Sequence, residues 1–215
     1  MFCYAIFDLD GTLLNTLLDL ADCVNATLRH FDLQEVQSGD VMRALGSGRT
    51  NLIRRTSGVE DPERLEEICV YYDALYGKNY RRLTRAYDGI AEALAKLQDA
   101  GVGMAVLSNK QHPMTVSLIA ECLPEIRFAA VLGQRPGVAL KPEAGAVYEI
   151  LDILGAPKEE TLYFGDSDVD VLTARNAGVE MAAVTWGYRP EGTLIRAGAA
   201  RLLHSPAEIP GLFGI

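Results

Sequence analysis

The chain is poor in the residues that would mark several functional classes. Its four cysteines, Cys3, Cys23, Cys69 and Cys122, are scattered and form no CxxC or CxxxC pair, which argues against a zinc site and a disulfide scaffold and suits reduced thiols in a core. The three histidines, His30, His112 and His204, are isolated and have no metal-ligand or catalytic spacing. Cations are scarce as well: 20 Lys and Arg stand against 29 Asp and Glu, a net charge of −9, and no basic stripe is present to neutralise a phosphate backbone. A nucleic-acid partner is therefore not expected. No uncharged apolar run approaches the ~20 residues needed to span a bilayer, so no membrane partner is expected either, and a cytoplasmic location follows as the expectation.

Apolar residues, by contrast, are plentiful: 49% of the 215 residues are hydrophobic, enough for a substantial core. Short apolar runs read as strands at 2–7, 102–108, 128–133, 161–165 and 181–186. Helical spacing lies between the later ones, at 89–100, 112–122, 143–154 and 168–177, with Gly178 suited to close the last helix. Strands that alternate with helices predict an α/β protein with a Rossmann-like, three-layer parallel sheet. The interval 15–82 breaks the rhythm. It has no convincing strand, and stretches such as 17–31 and 62–83 read as helices, with Pro62 suited to a first turn. The expected organisation is a catalytic α/β core made of 1–14 and 83–215, interrupted by an all-helical cap domain at 15–82, with hinges at 13–16 and 79–86.

The stretch "IFDLDGTLLNT" (6–16) places two carboxylates where a buried strand ends. Aspartate is depleted in strands, and an unpaired buried charge is costly, so Asp8 and Asp10 need partners. In open parallel sheets ligands bind outside the carboxyl ends of the strands, which is where these two residues fall. Gly11 permits a tight turn, and Thr12 adds a hydroxyl and a backbone donor. Locally, a turn-forming Asp-Gly beside a stray aspartate would read the same way. The other strand ends, however, are also polar: Ser108, Asn109 and Lys110 in "VLSNK", Lys141 in "ALKPEAG", and Asp166, Asp168 and Asp170 in "YFGDSDVD". If they converge, carboxylates for a hard cation sit beside a hydroxyl, amides and a lysine for anionic oxygens. Oxygen-only ligation favours Mg²⁺ over zinc.

Four pieces in order, "DLDGT" at 8–12, "SN" at 108–109, Lys141 in "LKP" and "GDSDVD" at 165–170, make the chain resemble the haloacid dehalogenase superfamily, in its phosphatase branch with a helical cap. The flanks "YFGDSDVDVLTARNAG" and "VTWGYRPEGTL" look most like phosphoglycolate phosphatases. The resemblance implies a Mg²⁺-dependent hydrolysis of a small phosphorylated metabolite by a monomer or homodimer. Asp8 would be the nucleophile that forms a phospho-aspartyl intermediate, and Asp10 the general acid and then base. Mg²⁺ would be held by Asp8, the Asp10 carbonyl and Asp166. Ser108, Asn109 and Lys141 would bind phosphoryl oxygens, and Asp170 would support the metal's waters and Lys141.

Four readings stay subordinate. Asp168 reads as a solvated helix-start residue. "GSGRTN" at 46–51 lacks the third glycine of a dinucleotide fingerprint and reads as a loop facing the active site, with Arg49 able to pair with a substrate carboxylate. Lys110 could orient substrate or point to solvent. "YRRLTR" at 80–85 reads as a solvated helix face. Within the family a pyrophosphatase, sugar-phosphate phosphatase or phosphomutase could use the same core. A haloalkanoate dehalogenase would lack Asp10, and a phosphonate hydrolase would need a cap lysine better placed than Lys78. A phospho-Asp receiver module shares the chemistry but neither the inserted helices nor the residue at Asp10.

Overall fold

The computed structural model describes all 215 residues. The chain opens with strand β1 (Tyr4–Phe7) and a two-residue strand β2 (Leu14–Asn15). It then runs through helices α1 (Leu17–His30), α2 (Ser38–Ala44), α3 (Arg49–Ser57) and α4 (Pro62–Asn79) before the short strand β3 (Arg85–Ala86). From there helices and strands alternate: α5 (Ile90–Asp99), β4 (Gly103–Gln111), α6 (His112–Cys122), β5 (Ala130–Gln134), α7 (Gly145–Leu154), β6 (Thr161–Gly165), α8 (Asp168–Ala177), β7 (Glu180–Val184), α9 (Glu191–Ala197) and β8 (Leu202–Leu203).

Six strands form one sheet in the order β5-β4-β1-β6-β7-β8, every pair parallel. The first strand lies in the middle and the chain turns outward from it in both directions, which creates the switch point where parallel sheets take their ligands. Burial on both faces explains why β1 and β6 read as unbroken apolar runs. Phe7 stacks on Phe164 at 4.6 Å between ring centres. One face of the sheet packs Ile6, Leu107, Leu132 and Tyr163 against Val147, Ile150 and Leu151 of α7.

The chain divides into two compact units, Met1–Leu14 with Ala86–Ile215, and Asn15–Arg85. The second unit is entirely helical apart from the ends of β2 and β3, which pair with each other as a separate two-stranded sheet. Within this unit α1 packs on α2 and α4, burying Leu20, Val24 and Leu28. Asp61 caps α4 by accepting from the Arg64 amide at 2.8 Å, and Pro62 occupies the first turn, where a missing N–H costs nothing. Asp19, 2% exposed, accepts from the Leu83 and Thr84 amides and from the Thr84 hydroxyl, so the last residues of the unit are tied to its first helix.

Three elements differ from the sequence reading. Residues 46–51 are not simply a loop: Gly48 caps α3, and helix begins at Arg49. The sixth strand, β8, went unread because it is only two residues long and follows a glycine-terminated helix. The segment 80–85 is likewise not a helix face, since α4 ends at Asn79.

Candidate active site

Parallel pairing sets Phe7 level with Val106 on one side and Phe164 on the other, so the residues just after them emerge together at the carboxyl edge. Asp8 leaves β1 with its amide bonded to the Phe164 carbonyl at 2.8 Å. Asp166 follows the end of β6, and Asp170 lies in the first turn of α8. One carboxylate oxygen from each of Asp8, Asp166 and Asp170 falls within 4.8 Å of the others, and all three side chains are buried. The Lys141 ammonium lies among them, 2.6 Å from Asp8 Oδ1 and 2.7 Å from Asp170 Oδ1.

Two of the three buried carboxylates thus pair with one ammonium, and the third, Asp166, lies beside them. Burial, then the charge of Asp170, push the Asp8 carboxyl well above the usual carboxylate range, against the pull of Lys141. Asp166 is pushed up to about 7, again by burial first and Asp170 second. For Lys141 burial acts downward, but Asp170 and Asp8 outweigh it and hold the ammonium well above its ordinary value. With all three carboxylates ionised, three negative charges stand against the one Lys141 ammonium, and this imbalance and the all-oxygen donor set fit a hard divalent cation.

The three carboxylates are not equivalent. Asp170 Oδ1 accepts from Lys141 and from the Tyr163 hydroxyl, and Oδ2 accepts from the Ser167 amide and hydroxyl. Four donors fill its acceptor sites, leaving it to hold Lys141 and the start of α8. Ser167 completes the capping box, and Gly178 ends the helix in the left-handed conformation. Asp166 has one oxygen engaged, Oδ2, which accepts from the Tyr188 amide at 2.6 Å. Asp168 sits outside the cluster, nearly half exposed and paired with Arg189 at 3.2 Å.

The turn after Asp8 folds back on itself, with the Leu13 and Leu14 amides bonded to the Leu9 carbonyl and the Gly11 amide to the Leu14 carbonyl. Gly11 has φ +91°, and a side chain there would collide with the Asp166 carboxylate. Glycine is required on both counts. Asp10, in this turn, is bonded through both carboxylate oxygens to the Lys110 ammonium. Thr12 is 1% exposed, and its hydroxyl makes no hydrogen bond.

The other polar strand end comes from β4, whose register with β5 shifts between Leu107 and Gln111. Ser108, Asn109 and Lys110 fall within that irregularity, where side chains are re-aimed. The Ser108 hydroxyl accepts from the Lys110 amide at 3.1 Å. The Asn109 side chain accepts from the Lys141 amide and donates to the Lys141 carbonyl, at 2.8 and 3.1 Å, fastening the loop that presents the lysine. Asp8, Asp10, Thr12, Ser108, Asn109, Lys110, Lys141, Asp166 and Asp170 therefore all belong to the sheet unit. Arg49 belongs to the helical unit, where Glu66 and Asp73 lie 2.9 and 3.2 Å from its guanidinium.

Sequence reasoning assigned no role to Tyr163 or Ser167, and the segment Trp186–Arg189 entered it only as part of the flank "VTWGYRPEGTL". Tyr163 sits in an apolar strand and reads as core. Trp186 and Tyr188 follow the last long strand, and they act through an indole N–H and a backbone amide, groups that no sequence pattern marks.

The profile of the family described as "Haloacid dehalogenase-like hydrolase" matches residues 5–184. Phosphoglycolate phosphatases from Agrobacterium fabrum and Mesorhizobium japonicum are 34% and 32% identical to the chain. These alignments cover 86% and 85% of it, and 81% and 82% of the relatives. The crystal structure of a predicted phosphoglycolate phosphatase from Haemophilus somnus superposes with a TM-score of 0.91 at 25% identity, covering 99% of this chain and 98% of that one.

Proposed function

The chain belongs to the haloacid dehalogenase-like hydrolases, and we propose that within their phosphatase branch it hydrolyses a small phosphomonoester, 2-phosphoglycolate foremost, through a phospho-aspartyl intermediate. The observation that carries this reading is the Lys141 ammonium held between Asp8 and Asp170 beside Asp166, at the carboxyl edge of the sheet. The buried charge imbalance and the oxygen-only donors support Mg²⁺ as cofactor, held by Asp8, Asp166 and the Asp10 carbonyl. Bound there, it would neutralise the nucleophile and the transferring phosphoryl group, whose hydrolysis is among the slowest uncatalysed reactions.

In this reading Asp8 attacks phosphorus and the ester oxygen departs with a proton from Asp10. Asp10 then takes a proton from water, whose oxygen attacks the phosphorus of the phospho-aspartate and releases phosphate and free Asp8. Lys141, the Ser108 hydroxyl, Thr12 and the Asn109 backbone amide bind phosphoryl oxygens, while the Asn109 side chain keeps Lys141 in place. The helical unit acts as the cap that excludes water and reads the organic part of the substrate. Arg49 supplies the acid-recognising group, its guanidinium held within its own unit by ion pairs to Glu66 and Asp73.

The test is a panel of phosphorylated metabolites compared by kcat/KM, with Mg²⁺ and with excess chelator. Preference for 2-phosphoglycolate that vanishes on chelation is expected. A better sugar phosphate or pyrophosphate would reassign the substrate, and absence of multiple turnover on any phosphomonoester would favour the receiver-like alternative.

A further inference from the structure

A segment that follows β7 touches both loops from which the site is built. The Trp186 indole N–H donates to the Thr12 carbonyl at 3.0 Å, in the turn that carries Asp8 and Asp10. Two residues on, the Tyr188 amide donates to Asp166 Oδ2 at 2.6 Å, and the Tyr188 and Tyr87 side chains are hydrogen-bonded to each other. Gly187 lies between them with no room for a side chain: a methyl there would overlap the Asp166 side chain and the Gly11 carbonyl oxygen. A side chain at Gly11 would overlap the same carboxylate. Asp166 is thus closely approached by two glycines, with one oxygen committed to a backbone amide.

From this geometry we propose that Trp186, Gly187 and Tyr188 form a positioning clamp for the cation site, holding the Asp8 turn and the Asp166 carboxylate at a fixed separation. The proposal rests on the cation-dependent reading above. Its physical basis is that Mg²⁺ demands near-ideal octahedral geometry and tolerates little drift in its carboxylates, so groups that orient the ligands set affinity. Tyr188 fixes which oxygen of Asp166 is free. Trp186 fixes the height of the turn opposite it. Gly187 allows the two loops to approach closely enough for both bonds to form.

The test uses full-length protein freed of metal by chelation, with Mg²⁺ binding followed by titration calorimetry and activity measured separately. Trp186→Phe keeps most of the apolar body and removes the donor. It is expected to weaken Mg²⁺ binding about 10- to 100-fold, the usual cost of losing such a partner, while KM for the phosphomonoester holds and kcat recovers towards wild type at saturating Mg²⁺. A purely structural role would lower the melting temperature and leave the Mg²⁺ dissociation constant in place. Binding weakened by less than about fivefold in a folded variant overturns the clamp. Gly187→Ala gives a second, steric reading: lost Mg²⁺ heat with a native circular-dichroism spectrum supports it, and wild-type affinity overturns it. If wild-type protein itself shows neither Mg²⁺ heat nor Mg²⁺-dependent turnover, the functional reading fails; if wild type binds and the variants match it, only the clamp does.

Discussion

Lys110 gives its ammonium to both carboxylate oxygens of Asp10, at 2.9 and 3.1 Å, from a side chain that is itself only 5% exposed. A strand residue and a loop residue a hundred positions apart are joined at the point where proton transfer is proposed. The pair orients Asp10, and it stores a cation close to where a phosphate dianion would arrive. Lys110→Met, which keeps the stem, is expected to lower kcat at least ~10-fold, and by no more than the ~10²–10⁴ that general acid–base catalysis contributes. Steady-state kinetics at saturating Mg²⁺ check this, and a kcat within twofold of wild type would remove Lys110 from the machinery.

Asp8→Asn separates chemistry from stability. Turnover should disappear, since the amide cannot form the phospho-aspartate, and residual activity above about 1% would exclude Asp8 as nucleophile. Because burial and Asp170 already disfavour the charged form of Asp8, the metal-free variant should melt no lower than metal-free wild type. Its Mg²⁺-induced rise in melting temperature should shrink. Differential scanning calorimetry with and without Mg²⁺ reads both effects.

The fold itself was largely readable because its signals are local and periodic. β1 and β6 are buried on both faces and read as apolar runs, and Gly178 and Pro62 mark helix ends by their backbone chemistry. Asp8, Ser108, Lys141 and Asp166 stood out because polar groups at strand ends have no bland explanation once several occur together. The missing parts depend on tertiary geometry. No pattern in "TLYFG" tells that the Tyr163 hydroxyl reaches Asp170, and no spacing tells that the Tyr188 backbone reaches Asp166. Arg49 shows the converse: its guanidinium has two carboxylate neighbours on α4 that only the packing of α3 on α4 brings near.

Asp170 and Asp168 lie one turn-fraction apart on α8 and should respond in opposite ways. Asp170 is fully buried with four donors aimed at it, so Asp170→Asn sets an amide against Lys141 and Ser167 and should cost about 3–5 kcal/mol, as breaking a buried charge network does. Activity should fall with it. Asp168→Ala removes an exposed partner of Arg189 and should shift stability by less than ~1 kcal/mol with kcat unchanged. Chemical denaturation of both variants decides; comparable losses would contradict the division of roles.

Proton and cation should compete at Asp166. Its carboxyl sits at about 7 in the metal-free protein, above the ordinary 3.8, so the folded state holds a proton more tightly than the unfolded chain does. The contribution to metal-free stability is therefore greatest below pH ~4 and is lost as pH rises towards 7. Mg²⁺ must displace that proton, so the gap in melting temperature between Mg²⁺-loaded and metal-free protein should widen from pH 5 to 7 and level off above. A gap independent of pH over that range would contradict the assignment of Asp166 as a ligand.

The helical unit begins at β2 and ends at β3, and those two strands are bonded to each other, with Asp19 securing the returning residues. Its two ends are therefore neighbours, and the gap they would leave in the sheet unit is a short one. A segment attached in this way can be transplanted: another helical module with adjacent termini could be grafted between Leu14 and Ala86 without disturbing β1 or its partners. If the helical unit reads the substrate as proposed, substrate range could then diverge by exchange of one module, while the sheet unit is inherited unchanged.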